Sequence, residues 1–364
     1  MKKYINNRLD YLDNIKWCLA IIVIMHHSFD YFQNTYPKYK SSFDIVLGID
    51  QSYFMDLFFF ISAFFIVPSL IKKGKSAFNK DKIIRLGGAL LITYCLVEPL
   101  NDVVKYWGVN SIITSYLGYL LSPDRWSTIK SLQWGDFMGV TWFCWTLLLL
   151  SLIWSLFFRN KVNENQATNL EIPSYLQIII FCILMVPLNC IAVMFENVFG
   201  SNFLGFRLIG MFPSYIAAFM IGIKAYQNNW LDKINLRYGL FGLILFSFGF
   251  YSIVFSHFIA SSISNDESFR ILRTFCAVGM ILFLLYIFKK YFNHSNKVTK
   301  ALARASFPAY VIQFVFLNVF FKFIAPGLNW NPWFITLFVG ALAVICSFTV
   351  GMILYRLPFF KRIF

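Results

Sequence analysis

Charge is what this chain of 364 residues has least of: Asp, Glu, Lys and Arg make up 13% of it, about half the ~25% usual in a soluble globular protein. Polar blocks long enough to separate soluble domains are missing too, and 59% of the residues are hydrophobic, with 44 Phe and 10 Trp. That excludes a water-soluble globule, because only lipid contact permits an exterior this apolar, with Trp rings at its interfaces. Acidic residues are scarcer than basic ones, 17 against 32, for a net charge of +15. The basic residues are dispersed between apolar runs and form no single basic face, which argues against nucleic-acid binding. The seven cysteines (Cys18, Cys95, Cys144, Cys182, Cys190, Cys276, Cys346) form no CxxC pair or Cys/His cluster, so neither a disulfide framework nor a zinc site is expected. HExxH, GxSxG and Gly-rich nucleotide loops are absent as well, and no metal is expected.

What is present is a succession of apolar runs. A spanning helix needs about 20 mostly apolar residues, a criterion that places spans near 15–35, 45–71, 82–100, 137–158, 173–195, 204–226, 238–258, 270–290, 305–324 and 333–355. The first lacks a small-residue cleavage site and reads as a retained span, not a signal peptide. With both termini cytoplasmic, most of the 32 Lys and Arg fall in the cytoplasmic segments, as the positive-inside rule requires. The expected fold is therefore an all-α polytopic membrane protein of about ten transmembrane helices, one membrane domain over residues 1–364. Two loops stand out. The outer stretch Asn101 to Asp136 holds an apolar segment, Ile112 to Leu121, too short to span and suited to flooring an outward cavity. The polar stretch Lys161 to Glu171 reads as a connection between two halves.

Ionisable residues inside spans are costly and mark functional positions by default. At 100° per residue, Lys16 and His27 lie about 20° apart on the first helix, with Asp13 about 60° to one side of Lys16 and Asp30 about 40° to the other. Eleven residues of rise put His27 roughly 16 Å beyond Lys16, near the middle of a bilayer about 30 Å thick. An imidazole kept neutral by burial offers a lone pair and suits a general base, with a carboxylate such as Asp30 to orient it. A proton relay and a purely structural histidine fit the same stripe. His26 points about 100° away and is the more structural of the pair. Asp56 and Ser62 sit in an aromatic run, DLFFFISAFF, where they could line a cavity or be satisfied locally. Lys82 and Arg85, at i and i+3, could receive a pyrophosphate-bearing cofactor from the cytoplasm, although topology alone accounts for a basic loop. Trp142 and Phe143 read as interfacial aromatics.

In order and spacing, these features resemble the bacterial acyltransferase type 3 family. Leu12-Asp13-Asn14-Ile15-Lys16, with ten residues between Lys16 and His27, resembles the family's LDxxR opening and its Arg/Lys-x10-His spacing. Asp56 to Phe65 is similar to its DLFFxISG segment, Lys82-x-x-Arg85 to its RxxR, Trp142-Phe143 to its WF pair, Tyr215 to Ile223 to its small-residue span ending in LGI, and Ser306 to Gln313 (SFPAYVIQ) to its SxxxYxxH segment. Lys stands for the usual Arg at 16 and 82, Ala63 for Gly, and Gln313 for the second His. Lys lacks the planar fork for bidentate phosphate contact, and Gln cannot exchange a proton near neutral pH.

The resemblance implies a multi-pass enzyme of the bacterial plasma (inner) membrane that moves an acyl group from cytoplasmic acyl-CoA, acetyl-CoA foremost, to a hydroxyl of an extracytoplasmic carbohydrate or lipid-linked glycan. His27 would be general base or transient acyl carrier, with Asp13 and Lys16 at the cytoplasmic entrance. Lys82, Arg85 and Ser62 would bind the donor; Asp30, Asp56, Trp142, Tyr310 and Gln313 would face the acceptor. Membrane lipids and cell-envelope biosynthesis proteins are the partners this implies. A transporter or exporter using His27, Asp30 and Asp56 for proton coupling is the reading from a different class.

Overall fold

The computed structural model describes residues 9–157, 170–259 and 265–364. The basic tail with Lys2, Lys3 and Arg8 lies outside the described residues, as does the connection 161–171 except for its last two residues. The described residues form helices and no named strand. Among the described residues, nine stretches are long and apolar enough to cross a membrane: Pro37–Lys73, Lys75–Lys105, Gly139–Phe157, Tyr175–Phe199, Ile209–Gln227, Leu236–Phe255, Glu267–Tyr291, Lys297–Gly327 and Pro332–Leu354. They coincide with the second to tenth expected spans. The first expected span is the helix α1 (Asp10–Gln33), whose 24 residues reach about 36 Å. Its polar residues Lys16, His26, His27 and Asp30 set it apart from the other nine.

The second span is three helices in series: α2 (Lys40–Gln51), α3 (Phe54–Phe64) and α4 (Ile66–Lys73). Neither Gly nor Pro stands at the Ser52–Tyr53 break. Gly74, at φ 72°, turns the chain into α5 (Lys75–Lys105), a conformation that costs glycine little. Two π-helical turns, Ile83–Gly87 and Thr93–Val97, interrupt α5; such turns are rare and frequent at functional sites. The short apolar segment is a helix, α6 (Ile112–Leu121), with Ile112, Ile113, Leu117 and Leu121 exposed. α7 (Pro123–Lys130) and α8 (Trp142–Phe157) follow.

In the second half, α9 (Tyr175–Phe199) starts at a capping box in which Ser174 accepts from the Gln177 amide at 3.3 Å and Gln177 Oε1 accepts from the Ser174 amide at 2.8 Å. This reciprocal pair satisfies two amides the helix itself leaves free. α10 (Phe212–Gln227), α11 (Leu236–Ile259), α12 (Asn265–Tyr291), α13 (Lys297–Phe323, capped by Asn296) and α14 (Pro332–Leu354) complete the bundle. Leu176, Ile183, Leu184, Ile191, Met194 and Val198 form an exposed apolar stripe on α9 at helical spacing, the face suited to lipid. The interior is built from α1, α3 and α10, where Leu12, Ile15 and Leu19 pack in one cluster with Phe59, Phe64, Tyr215 and Phe219.

Close helix contacts occur where side chains vanish. A Cβ on Gly222 of α10 would run into the Phe60 carbonyl of α3, and one on Gly279 of α12 would meet the Gly242 carbonyl and Phe246 backbone of α11. Small residues at such crossings let helix backbones approach within the membrane. Gly279→Leu should therefore destabilise the protein by about 1–3 kcal/mol, read as a lower unfolding temperature in detergent. Ile244→Ala, at a position 68% exposed, should change stability by no more than about 0.5 kcal/mol.

Candidate active site

Lys16, Lys82, Arg85 and Arg304 line one cavity of about 420 Å³, together with Asp13, Ser62 and Tyr310. Four cationic side chains against one carboxylate side chain leave its lining with an excess of positive charge. Lys16 Nζ lies 3.3 Å from Asp13 Oδ1 and 4.2 Å above the Phe65 ring, so the carboxylate and the ring hold the ammonium at the cavity wall. Arg85 sits within the first π-turn, whose extra residue rotates the side chains that follow Lys82. Its Nη2 donates to the main-chain oxygen of Phe364 at 2.9 Å. Beyond the charges the walls turn apolar, with Ala20, Ile61, Phe143 and Leu147.

A second cavity, of about 810 Å³, holds His26, His27, Asp30, Asp44, Trp142 and Arg207. The His27 ring lies 4.7 Å from that of Phe314 and 5.4 Å from that of His26. Its Nδ1 is buried with no hydrogen-bond partner among the described residues. Asp30 does not orient it: its Oδ1 accepts from Gln33 Nε2 at 2.7 Å. The imidazole that faces a carboxylate is His26, with Nδ1 3.9 Å from Asp50 Oδ2. Among the described residues, none of 101–136 lines this cavity. The expected floor is supplied by α2 and by the loop carrying Arg207, because α6 packs back on the end of α5, where the Tyr116 hydroxyl donates to the Cys95 carbonyl. Leu204 and Leu208 in that loop hold φ of 53° and 61°, a conformation uncommon and costly for non-glycine residues. Trp145 Nε1 donates to the Leu204 carbonyl at 3.0 Å and braces the loop.

The two cavities share two residues, Met55 of α3 and Tyr310 of α13. On α1, Ala20 faces the first cavity and Val23 the second, three residues or about 4.5 Å apart along the axis. The wall between them is thus one layer of side chains. The Tyr310 hydroxyl donates to the Val140 carbonyl, which fixes the ring across the opening. Gln313 is fully buried, donates from Nε2 to the Tyr310 carbonyl at 2.9 Å and lines neither cavity.

The profile of a protein family described as an acyltransferase domain, type 3, matches residues 9–352, nearly the whole chain. The chain belongs to the acyltransferase type 3 family. No curated protein and no solved structure matches it significantly. In this acyltransferase family member, Lys16, Lys82, Arg85 and His27 thus lie in two adjoining cavities of one membrane protein.

Asp56 lies elsewhere in the acyltransferase. Almost fully buried, it forms an ion pair with the equally buried Arg273 of α12. Ser214 Oγ of α10 donates to Asp56 Oδ1 at 2.5 Å, and Arg273 Nη1 donates to Ser214 Oγ at 2.5 Å. Arg273 Nη2 also donates to the carbonyls of Gln51 and Ser52, each at 3.3 Å. Those carbonyls are orphaned by the break between α2 and α3. A third, mostly apolar cavity of about 760 Å³ on the opposite flank of α3 includes Asp56 and Ser214 in its lining, but not His27. Sequence reasoning did not single out Arg273, although it stands three residues inside the expected span 270–290, where the rule that flagged His27 applies equally. Arg207, Arg304 and Asp50 were not singled out either; each lies near an end of an expected span, where charges are ordinary.

A buried charge that loses its partner is strongly destabilising, by about 3–5 kcal/mol, whereas replacing both partners with apolar residues is often near neutral. Asp56→Leu and Arg273→Met should each lower the unfolding temperature in detergent sharply, and the double variant should recover much of the loss. Additive losses would show that the pair is not coupled.

Proposed function

We propose that the protein is an O-acyltransferase of the bacterial plasma membrane that takes an acyl group, acetyl foremost, from cytoplasmic acyl-CoA and passes it to a hydroxyl of an extracytoplasmic or lipid-linked carbohydrate. One observation carries the reading: a cavity with four cationic side chains and a cavity with an imidazole whose Nδ1 is buried without a partner among the described residues meet at a single layer of side chains. The charge fits the donor, because coenzyme A presents a pyrophosphate and a further phosphate to which Arg and Lys make charge-assisted hydrogen bonds. With both termini cytoplasmic, Lys16, Lys82, Arg85 and Arg304 receive the phosphates, Asp13 holds Lys16 in place, and Ser62 and the apolar wall flank the pantetheine arm.

The second cavity then faces outward and admits the acceptor, with Trp142 offering a ring face and Asp30 a hydrogen-bond acceptor to sugar hydroxyls. His27 takes the proton of the attacking hydroxyl as its oxygen bonds to the thioester carbonyl carbon. The C–S bond breaks, and the proton passes from His27 to the departing sulfur. Attack by His27 itself, with a transient acyl-imidazole, balances equally well. Asp56 acts at a distance by fixing α3, and Gln313 by holding the backbone of Tyr310. Cell-envelope biosynthesis proteins would supply the acceptor. The exporter reading is weaker, because a relay through Asp56 would have to cross α3 and break the Arg273 ion pair.

Calorimetry on the full-length protein in nanodiscs tests the donor site. Acetyl-CoA should bind wild type, and Arg85→Ala should weaken binding at least about tenfold, the loss of one charge-assisted contact of about 1.5–3 kcal/mol. His27→Ala should bind acetyl-CoA normally yet lose transfer of radiolabelled acetyl to envelope glycans by about 10²- to 10⁴-fold, the usual contribution of a general base. Undiminished transfer by His27→Ala would remove its catalytic role, and failure of wild type to bind any acyl-CoA would return weight to the exporter.

A further inference from the structure

We infer that Met55 and Tyr310 form a gate whose aperture selects the length of the acyl group. This rests on the donor reading above and goes beyond it, since that reading leaves acyl length open. The first cavity ends at these two side chains and the second begins there. A thioester that enters from the cationic end must bring its carbonyl across this layer to meet His27, while its acyl group leads the way.

The two halves of the gate differ physically. Tyr310 is fixed: its hydroxyl is bonded to the Val140 carbonyl, its backbone carbonyl accepts from Gln313, and it stands in the turn after Pro308. Met55 is an unbranched side chain that adapts its shape readily, and it follows directly from Phe54 at the start of α3. Its backbone is held by the neighbouring Asp56–Arg273 pair, so the motion available to the gate lies in the Met55 side chain. Rotation of one thioether clears a gap for a group of one or two carbons. A longer chain meets Tyr310 and the rings of Phe143 and Phe314, which stand on either side of the layer.

The test compares binding of coenzyme A, acetyl-CoA, butyryl-CoA and hexanoyl-CoA to the full-length protein in nanodiscs. Coenzyme A itself carries no acyl group and reports folding and the phosphate site in every variant. Wild type should bind acetyl-CoA within about threefold of coenzyme A and hexanoyl-CoA at least about tenfold more weakly, a difference of about 1.4 kcal/mol. Met55→Ala should erase that discrimination while binding coenzyme A as wild type does. Should Met55→Ala fail to fold, Tyr310→Phe, which keeps the ring and frees it from Val140, should narrow the discrimination in the same direction. Equal binding of acetyl-CoA and hexanoyl-CoA by wild type, or discrimination that survives both variants, would overturn the gate alone. Failure of coenzyme A to bind any form would overturn the donor reading and the gate with it.

Discussion

A guanidinium buried inside the bundle has no water to fall back on, and the groups around Arg273 are arranged to satisfy its two Nη nitrogens. Its donors reach Asp56, Ser214 and the carbonyls of Gln51 and Ser52, and its face lies 5.0 Å from the Tyr215 ring. Three separate elements, the α2–α3 break, α10 and α12, are thereby tied at one point. A buried ion pair is weak evidence of net stability, since desolvation opposes the attraction. Its strength here is geometric. It makes a broken second span tolerable, because the carbonyls freed at Ser52 have a cationic partner, and lipid-exposed breaks are not otherwise allowed in a membrane.

The break matters because α3 contributes to the wall of all three cavities described above. Met55 sits on the shared layer, Phe58, Ile61 and Ser62 face the cationic cavity, and Asp56 and Phe60 face the apolar one. An unbroken helix from 45 to 71 would present one continuous face pattern from end to end. Interrupted at Ser52–Tyr53 and Phe65, the span can aim α2 at the histidine cavity and α3 at the cationic cavity independently. Gly222 completes the placement by letting α10 come up against the Phe60 carbonyl.

Much of this was legible in the sequence because the bilayer imposes its own ruler: runs of about 20 apolar residues mark helices whatever their neighbours do. The stripe from Lys16 to His27 was legible for a similar reason, since helical periodicity is local. What depended on distant partners was not. Nothing in Gln51-Ser52-Tyr53 announces a break, because the donors that stabilise it come from Arg273, more than two hundred positions away. Periodicity put Asp30 on the stripe of His27, but its side chain turns to Gln33 within the same last turn, while Asp50 arrives on α2 to face His26. Gln313 was readable as a departure from the family pattern, yet only the packing shows that it serves the backbone of Tyr310.

Division of the site into two cavities also answers a constraint peculiar to membranes. A reaction that draws its donor from one side and its acceptor from the other needs contact between the two without an open aqueous path, which would leak ions and let water compete for the thioester. Charged residues must therefore stop short of each other, and here they do: Lys16, Lys82, Arg85 and Arg304 line one cavity, His26, His27, Arg207 and Arg270 line the other, and the two residues common to both are a thioether and an aromatic ring. A charged residue in that layer would hydrate it, and a small one would open it. Tyr310 reconciles the demands, since its ring seals while its hydroxyl is spent on Val140 and adds no free polar group to the passage.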